Sequence, residues 1–307
     1  MRMIAVVTAA ALVVGGAASA GAALVGAAWL EDRLGAPDLA VLDIRNRIDG
    51  GSSAAYRAGH IPGAVHSSYT EDGWRVAVDG VAGMLPPVSD LEALIGELGI
   101  DERDHVVIVH GGVGSSDFGS AARIYWTFQQ LGHAAVSILD GGFRAWTADA
   151  ARPVARGAPS IEPVDYVATA AASAPTTVGE VLAALDGGAT LLDARPAEQY
   201  RGASKHAAAR VGGHIPGALN FSQANWFDAE RGEMRDVATV AATLPAAVRE
   251  GEGPLVSYCN TGHWAATNWF VLSELLGRDD VRLYDGSMTE WTADPARPVA
   301  AVEAAGG

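Results

Sequence analysis

One cysteine in 307 residues, Cys259, excludes an internal disulfide, so its thiol is free, modified or paired with another molecule. Basic runs are missing too. The chain sets 21 Lys and Arg against 36 Asp and Glu, a net charge of −15. Such a chain repels phosphate, which excludes nucleic acid and anionic membrane surfaces as partners. Charge of either sign is absent between Arg2 and Glu31. Within that stretch Arg2, the apolar run Ile4 to Val14 and the small residues Ala18-Ser19-Ala20 have the layout of an export signal over residues 1–20, with the mature chain starting near Gly21. An uncleaved anchor is the competing reading, because the uncharged stretch is long enough to span a bilayer. Trp29 to Leu34 reads as an amphipathic helix opening the first domain, which favours cleavage. The expected location is therefore exported, periplasmic in a Gram-negative source, with no stable membrane insertion after cleavage. No cysteine adjoins the cleavage site, which excludes lipid attachment there.

Past the signal the chain repeats itself. Leu39 to Arg45, ending Asp43-Ile44-Arg45, returns as Thr190 to Arg195, ending Asp193-Ala194-Arg195. Gly59-His60-Ile61-Pro62-Gly63-Ala64 returns unchanged as Gly213 to Ala218. Val106 to His110 matches Leu255 to Cys259, and Asp140-Gly141-Gly142 with Trp146 matches Asp285-Gly286-Ser287 with Trp291. Blocks recurring in one order mean a duplicated domain. The expected boundaries are 23–153 and 178–299, a linker over 154–177 laid along the surface, and a loose tail over 300–307.

Each copy alternates short apolar strands with helical stretches: Ser89 to Leu98 and Ser120 to Leu131, then Val178 to Leu185 and Ala265 to Leu276. Ser89 with Glu92 has capping-box spacing. The alternation predicts an α/β fold, two tandem domains, each a parallel sheet flanked by helices on both faces. Ligands of such sheets bind beyond the strand carboxyl ends. Cys259 follows one such strand, Pro254 to Tyr258, and precedes a helix. Backbone N–H groups and the positive end of the helix dipole then face the sulfur and favour thiolate. A lone cysteine is more often a buried hydrophobe. Here its place between strand and helix points to chemistry.

These blocks, together with Cys259-Asn260-Thr261-Gly262-His263-Trp264, make the chain resemble the two-domain rhodanese family of sulfurtransferases over nearly everything after the signal. The resemblance implies a catalytic second domain and a first domain that has lost its cysteine, where His110 now stands. It implies that Cys259 takes sulfur from a small anionic donor as a persulfide and gives it to a thiol or cyanide. Asn260, Thr261, Gly262, His263 and Trp264 would form the active-site loop, and no cofactor is implied. Asp193 and Arg195 read as framework, a strand-end carboxylate and a guanidinium suited to loop-bracing hydrogen bonds.

Departures from the family leave the donor open between thiosulfate and 3-mercaptopyruvate. The loop begins Asn260-Thr261 rather than with cations, and Met84-Leu85-Pro86 follows Gly83 where a histidine is usual. The usual anion-binding arginine is Gln199, so Arg201 becomes the candidate for the donor's anionic group, with a solvated surface arginine as its alternative. A phosphatase on this fold needs an arginine six residues after the cysteine, where Ala265 stands. A persulfide carrier or binding module serving a protein partner is the remaining alternative. His60 and His214 sit in identical turns of separate copies, which reads as turn structure rather than metal ligation. No metal is expected.

Overall fold

The computed structural model describes residues 22–170 and 174–301. The signal expected over 1–20 and the tail beyond Ala301 lie outside the described residues.

The first copy contains β1 (Leu24–Val25), α1 (Ala27–Glu31), β2 (Leu39–Asp43), α2 (Ser53–Ala58), β3 (Val65–His66), β4 (Val76–Val78), β5 (Val81–Met84), α3 (Val88–Glu97), β6 (His105–Val109), α4 (Ser115–Gln130), β7 (Val136–Leu139) and α5 (Gly142–Thr147). The second contains α6 (Val178–Ala183), β8 (Thr190–Asp193), α7 (Ala197–Tyr200), β9 (Leu219–Asn220), β10 (Phe227–Asp228), β11 (Glu233–Met234), α8 (Val237–Ala241), α9 (Ala246–Arg249), β12 (Leu255–Tyr258), α10 (His263–Phe270), β13 (Val281–Leu283) and α11 (Ser287–Trp291). Both main sheets are parallel. Their orders are β1-β7-β6-β2-β3 and β13-β12-β8-β9. The strand that β1 adds to the first sheet survives in the second as a single bridge from Thr176 to Tyr284.

Apolar strands buried on both faces need a cover on each side. One face of each sheet packs on its own helices, in clusters around Trp146 in the first copy and Trp291 in the second. The other faces merge into one core across the domain junction. There α4 lies against α10, with Tyr125 edge-on to Phe270 at 4.9 Å and Phe118 to Phe270 at 5.8 Å between ring centroids. Each copy also sends an antiparallel hairpin, β4–β5 or β10–β11, toward its partner. No helix among the described residues is long and apolar enough to cross a membrane.

Several local expectations change. The first long helix of the chain, α3, starts at Val88 behind Pro87 with no side-chain cap, and Ser89 turns to Asp90 while Glu92 accepts from Ala168 N–H. Two prolines fix the entry of the chain, which leaves the Ser89–Glu92 box unused. A capping box does form at Thr177 with Glu180. Helix α4 begins at Ser115 rather than Ser120, and α10 at His263 rather than Ala265. Ala300 is tied in both directions to His214, so the loose tail does not begin there. The stretch between the copies is pinned to the first by Tyr166, buried and stacked on His133.

Candidate active site

Strand β12 is fully buried and ends at Tyr258, which delivers Cys259 to the carboxyl edge of its sheet. Gly262 then turns the chain into α10 with φ 70, the left-handed region open to glycine. A Cβ there would collide with the Arg123 guanidinium and the Asp285 carboxylate. The loop is therefore four residues, Cys259 to Gly262, and His263 and Trp264 already belong to the first helical turn, whose N–H groups have no intrahelical partner. The N–H groups of Asn260 and Thr261 make no hydrogen bond among the described residues. Cys259 N–H and Gly262 N–H instead donate to Ser287 Oγ, at 3.0 and 3.2 Å. Ser287 Oγ in turn donates a hydrogen bond to Tyr284 O at 2.8 Å.

Ser287 holds this position at φ 48, a conformation uncommon outside glycine. Its neighbour Thr289 clamps Asn260 O through both N–H and Oγ1, at 3.0 and 2.8 Å. Asn260 Nδ2 donates to Gln199 Oε1 at 2.8 Å. The backbone of the loop is thus held on several sides while Cys259 lines a cavity of about 270 Å³. Ile48, Arg75, Ser116, His206, Thr261 and Trp264 form other parts of its wall.

His263 is buried between the domains. Its Nε2 lies 2.9 Å from Ser116 O, which can only accept, so Nε2 carries the proton and Nδ1 accepts from Tyr69 Oη at 2.8 Å. Burial, with Arg75 beside it, pushes its pKa down to about 3. The ring is neutral at physiological pH and serves as a tether rather than a cation. Trp264 Nε1 donates to Ser116 Oγ at 2.8 Å, so the indole both walls the cavity and binds the other domain.

Asp193 and Arg195 form a buried pair at 2.6 Å, and Arg195 Nη2 also donates to Gly213 O at 2.7 Å. They fasten the Gly213 to Ala218 turn to the end of β8. His60 and His214 each stack on a tyrosine, Tyr56 or Tyr200, and contact its carbonyl through Nδ1. Arg201 is displaced from its expected role. Its side chain is 50 % exposed, its nearest acid is Glu198 at 3.8 Å, and it is not part of the cavity wall. Helix α7 turns it outward.

Apart from Ser287 and Thr289, the residues that sequence reasoning missed come from the first domain. Arg75 on the β4–β5 hairpin donates to Thr261 O at 3.1 Å. Arg123, fully buried on α4, pairs with Asp285 at 2.6 Å, and Leu85 N–H donates to the same carboxylate at 2.6 Å. Tyr69 and Ser116 hold His263. The one available signal was Met84-Leu85-Pro86 preceded by Gly83, which marks the hairpin but not its arginine.

The rhodanese-like domain family matches residues 26–149 and again 177–294. The chain is 34 % identical to the thiosulfate sulfurtransferase of Corynebacterium glutamicum, over 87 % of each. It is 35 % identical to a probable 3-mercaptopyruvate sulfurtransferase of Pseudomonas aeruginosa, covering 91 % of this chain and 98 % of that one. Its fold superposes on SseA of Escherichia coli, a 3-mercaptopyruvate enzyme with the rhodanese fold, at a TM-score of 0.73 and 27 % identity over 87 % of this chain and 98 % of that one. Matched in both halves and aligned almost end to end with such relatives, the chain belongs to the rhodanese-like family as one of its two-domain sulfurtransferases.

Proposed function

We propose that Cys259 takes the outer sulfur of thiosulfate or 3-mercaptopyruvate, holds it as a persulfide and passes it to a thiophilic acceptor such as cyanide or a thiol. With thiosulfate, the Cys259 thiolate bonds to the outer sulfur, the S–S bond breaks and sulfite leaves with the electron pair. With 3-mercaptopyruvate, a C–S bond breaks instead and the carbon takes the electron pair and a proton. The acceptor then attacks the terminal sulfur and Cys259 departs as thiolate. No outside oxidant or reductant enters the cycle. The observation that carries this reading is the placement of the only thiol against a cavity at the amino end of α10, beside loop N–H groups that no other described residue uses. Such donors stabilise charge on sulfur as they would on an oxyanion.

The test is the intact mass of the reduced protein after brief exposure to each donor, with Cys259→Ser alongside. Gain of one sulfur atom by the wild type alone, and its loss to cyanide as thiocyanate, is the expected result. The faster donor identifies the physiological class. An unmodified mass with both donors, while the thiol still alkylates, overturns the reading.

In this reading the chain has a non-catalytic rhodanese-like domain over 23–153, a linker over 154–177 and a catalytic rhodanese-like domain over 178–299. Residues 1–20 act as a cleaved export signal, supported by Arg2, the apolar run and Ala18-Ser19-Ala20. The mass of the mature N-terminus distinguishes cleavage near Gly21 from a retained anchor.

A further inference from the structure

The cavity above Cys259 is lined by one guanidinium and by no carboxylate, in a chain where acids outnumber bases 36 to 21. Neither of its histidines supplies charge. His263 is held neutral, and burial, with Arg75 and Lys205 nearby, also lowers the pKa of His206. Arg75 is the remaining cation. It is half-buried, and among the described residues no acid lies within ion-pair distance of it.

Its hydrogen bonds explain how it is aimed. Nε donates to Gly83 O at 3.3 Å, Nη2 donates to Thr261 O at 3.1 Å and the guanidinium lies 5.5 Å from the centroid of the Tyr69 ring, contacts that do not use all five of its N–H donors. Gly83 makes the room. Its φ is 89, and a Cβ there would strike the Arg75 guanidinium and lie 3.0 Å from Thr261 Cβ. In the second domain Gln199 is spent on Asn260, Arg201 faces solvent, and Lys205, outside the cavity wall, donates to Ala209 O at 2.8 Å. A half-buried, oriented guanidinium without a counter-ion beside a nucleophile leaves its ion pair to the ligand.

We propose that Arg75, delivered by the first domain's hairpin, binds the donor's anionic group and makes Cys259 selective for anionic over neutral electrophiles. The proposal deepens the reading of Cys259 as the sulfur-accepting nucleophile. Donor recognition then belongs to one domain and sulfur capture to the other.

Alkylation tests it without any sulfur transfer. The Cys259 sulfur displaces iodide from iodoacetate, which is anionic, or from iodoacetamide, which is neutral and nearly the same size. Arg75→Gln is expected to lower the ratio of the iodoacetate rate to the iodoacetamide rate about tenfold, the loss of one favourable charge contact, while any change in thiolate reactivity slows both reagents alike and cancels in the ratio. Arg75→Lys keeps most of the preference. Gly83→Ala, which displaces the guanidinium without deleting it, shifts the ratio in the same direction. With thiosulfate, Arg75→Gln raises KM about tenfold while kcat changes little.

Equal slowing of both reagents would show that Arg75 only props the loop, and the proposal falls. Loss of anion preference in Arg201→Gln instead of Arg75→Gln returns the site to Arg201 and overturns it as well. An Arg75-dependent preference in a protein that forms no persulfide supports this inference while removing the sulfurtransferase reading, so the two fail separately.

Discussion

The loops after β6 and β12 are the same device with different contents. In the first copy Asp117, the third residue of α4, turns its carboxylate back into the loop. It accepts from Gly111 N–H at 3.1 Å, Gly112 N–H at 2.7 Å and Val113 N–H at 3.0 Å. His110, standing where the other copy has its cysteine, is fully buried and lies 2.9 Å from the same carboxylate. Burial pushes the Asp117 pKa up, but His110 and the loop N–H groups outweigh burial and hold it below the usual range. The third residue of α10 is Ala265, so α10 turns no carboxylate back into the second cradle. The first copy thus differs from the second by more than the cysteine. Its anion site has been filled.

A second contrast runs through the Asp-Gly turns. Each aspartate accepts from the hairpin of the opposite domain: Asp140 from Met234 N–H at 2.9 Å, Asp285 from Leu85 N–H at 2.6 Å. Only Asp285 is also paired with a buried arginine, Arg123. Two residues on, Gly142 takes φ 55 without strain, whereas Ser287 takes φ 48 as a non-glycine. Strain of that kind costs about 1–3 kcal/mol and tends to mark functional sites. Here it places the hydroxyl that binds both ends of the Cys259 loop.

Making the second loop like the first is the sharpest way to break the comparison. Ala265→Asp would put a carboxylate near the sulfur, where like charges about 4 Å apart repel by roughly 4 kcal/mol at an effective dielectric of 20. Thiocyanate formation is expected to fall about a hundredfold or more. Circular dichroism that stays native assigns the loss to the cradle, and activity near wild type would show that the two loops are not equivalent.

The aspartates come next. Asp285→Asn strands Arg123 in the core, for an expected loss of roughly 3–5 kcal/mol in urea unfolding. Asp140→Asn removes one charged acceptor and is expected to cost about 1.5–3 kcal/mol. Equal losses would mean that the two domain contacts are held alike.

The smallest effect concerns His263, which has no counterpart in the first loop. Its folded pKa, about 3, lies below the ordinary value of 6.5. Between those values the unfolded chain binds the extra proton, so stability falls as pH falls, by at most about 1.4 kcal/mol per unit. Arg75 and Arg123 reinforce the neutral form and Asp117 opposes it. Asp49, raised by burial and by Asp117, contributes the opposite slope in acid. His263→Gln is therefore expected to flatten or reverse the loss of urea midpoint between pH 6.5 and 5. An unchanged slope would show that His263 is not the group responsible.

Much of the second domain was legible because its signals are local. The duplicated Asp-x-Arg and Gly-His-Ile-Pro-Gly-Ala blocks keep the same hydrogen bonds in both copies: Arg45 reaches Gly59 O and Arg195 reaches Gly213 O, each at 2.7 Å. The strand before Cys259 and the glycine at the turn were equally plain. Helix starts were harder. A left-handed Gly262 begins α10 two residues before the apolar period does, and Pro87 overrides the cap spacing of Ser89. Arg201 was misplaced because proximity in sequence to a motif says nothing about which way the residue closing a four-residue helix points.

By itself the sequence determined the duplication, the parallel α/β class and the place of Cys259 between a strand and a helix, since each rests on short blocks of neighbouring residues. Only the tertiary structure decided what surrounds the sulfur. Arg75 meets Thr261 across 186 positions and Tyr69 meets His263 across 194, contacts that no local pattern encodes. They exist because two sheets with apolar faces bury them together, and that burial brings each domain's hairpin over the loop of the other.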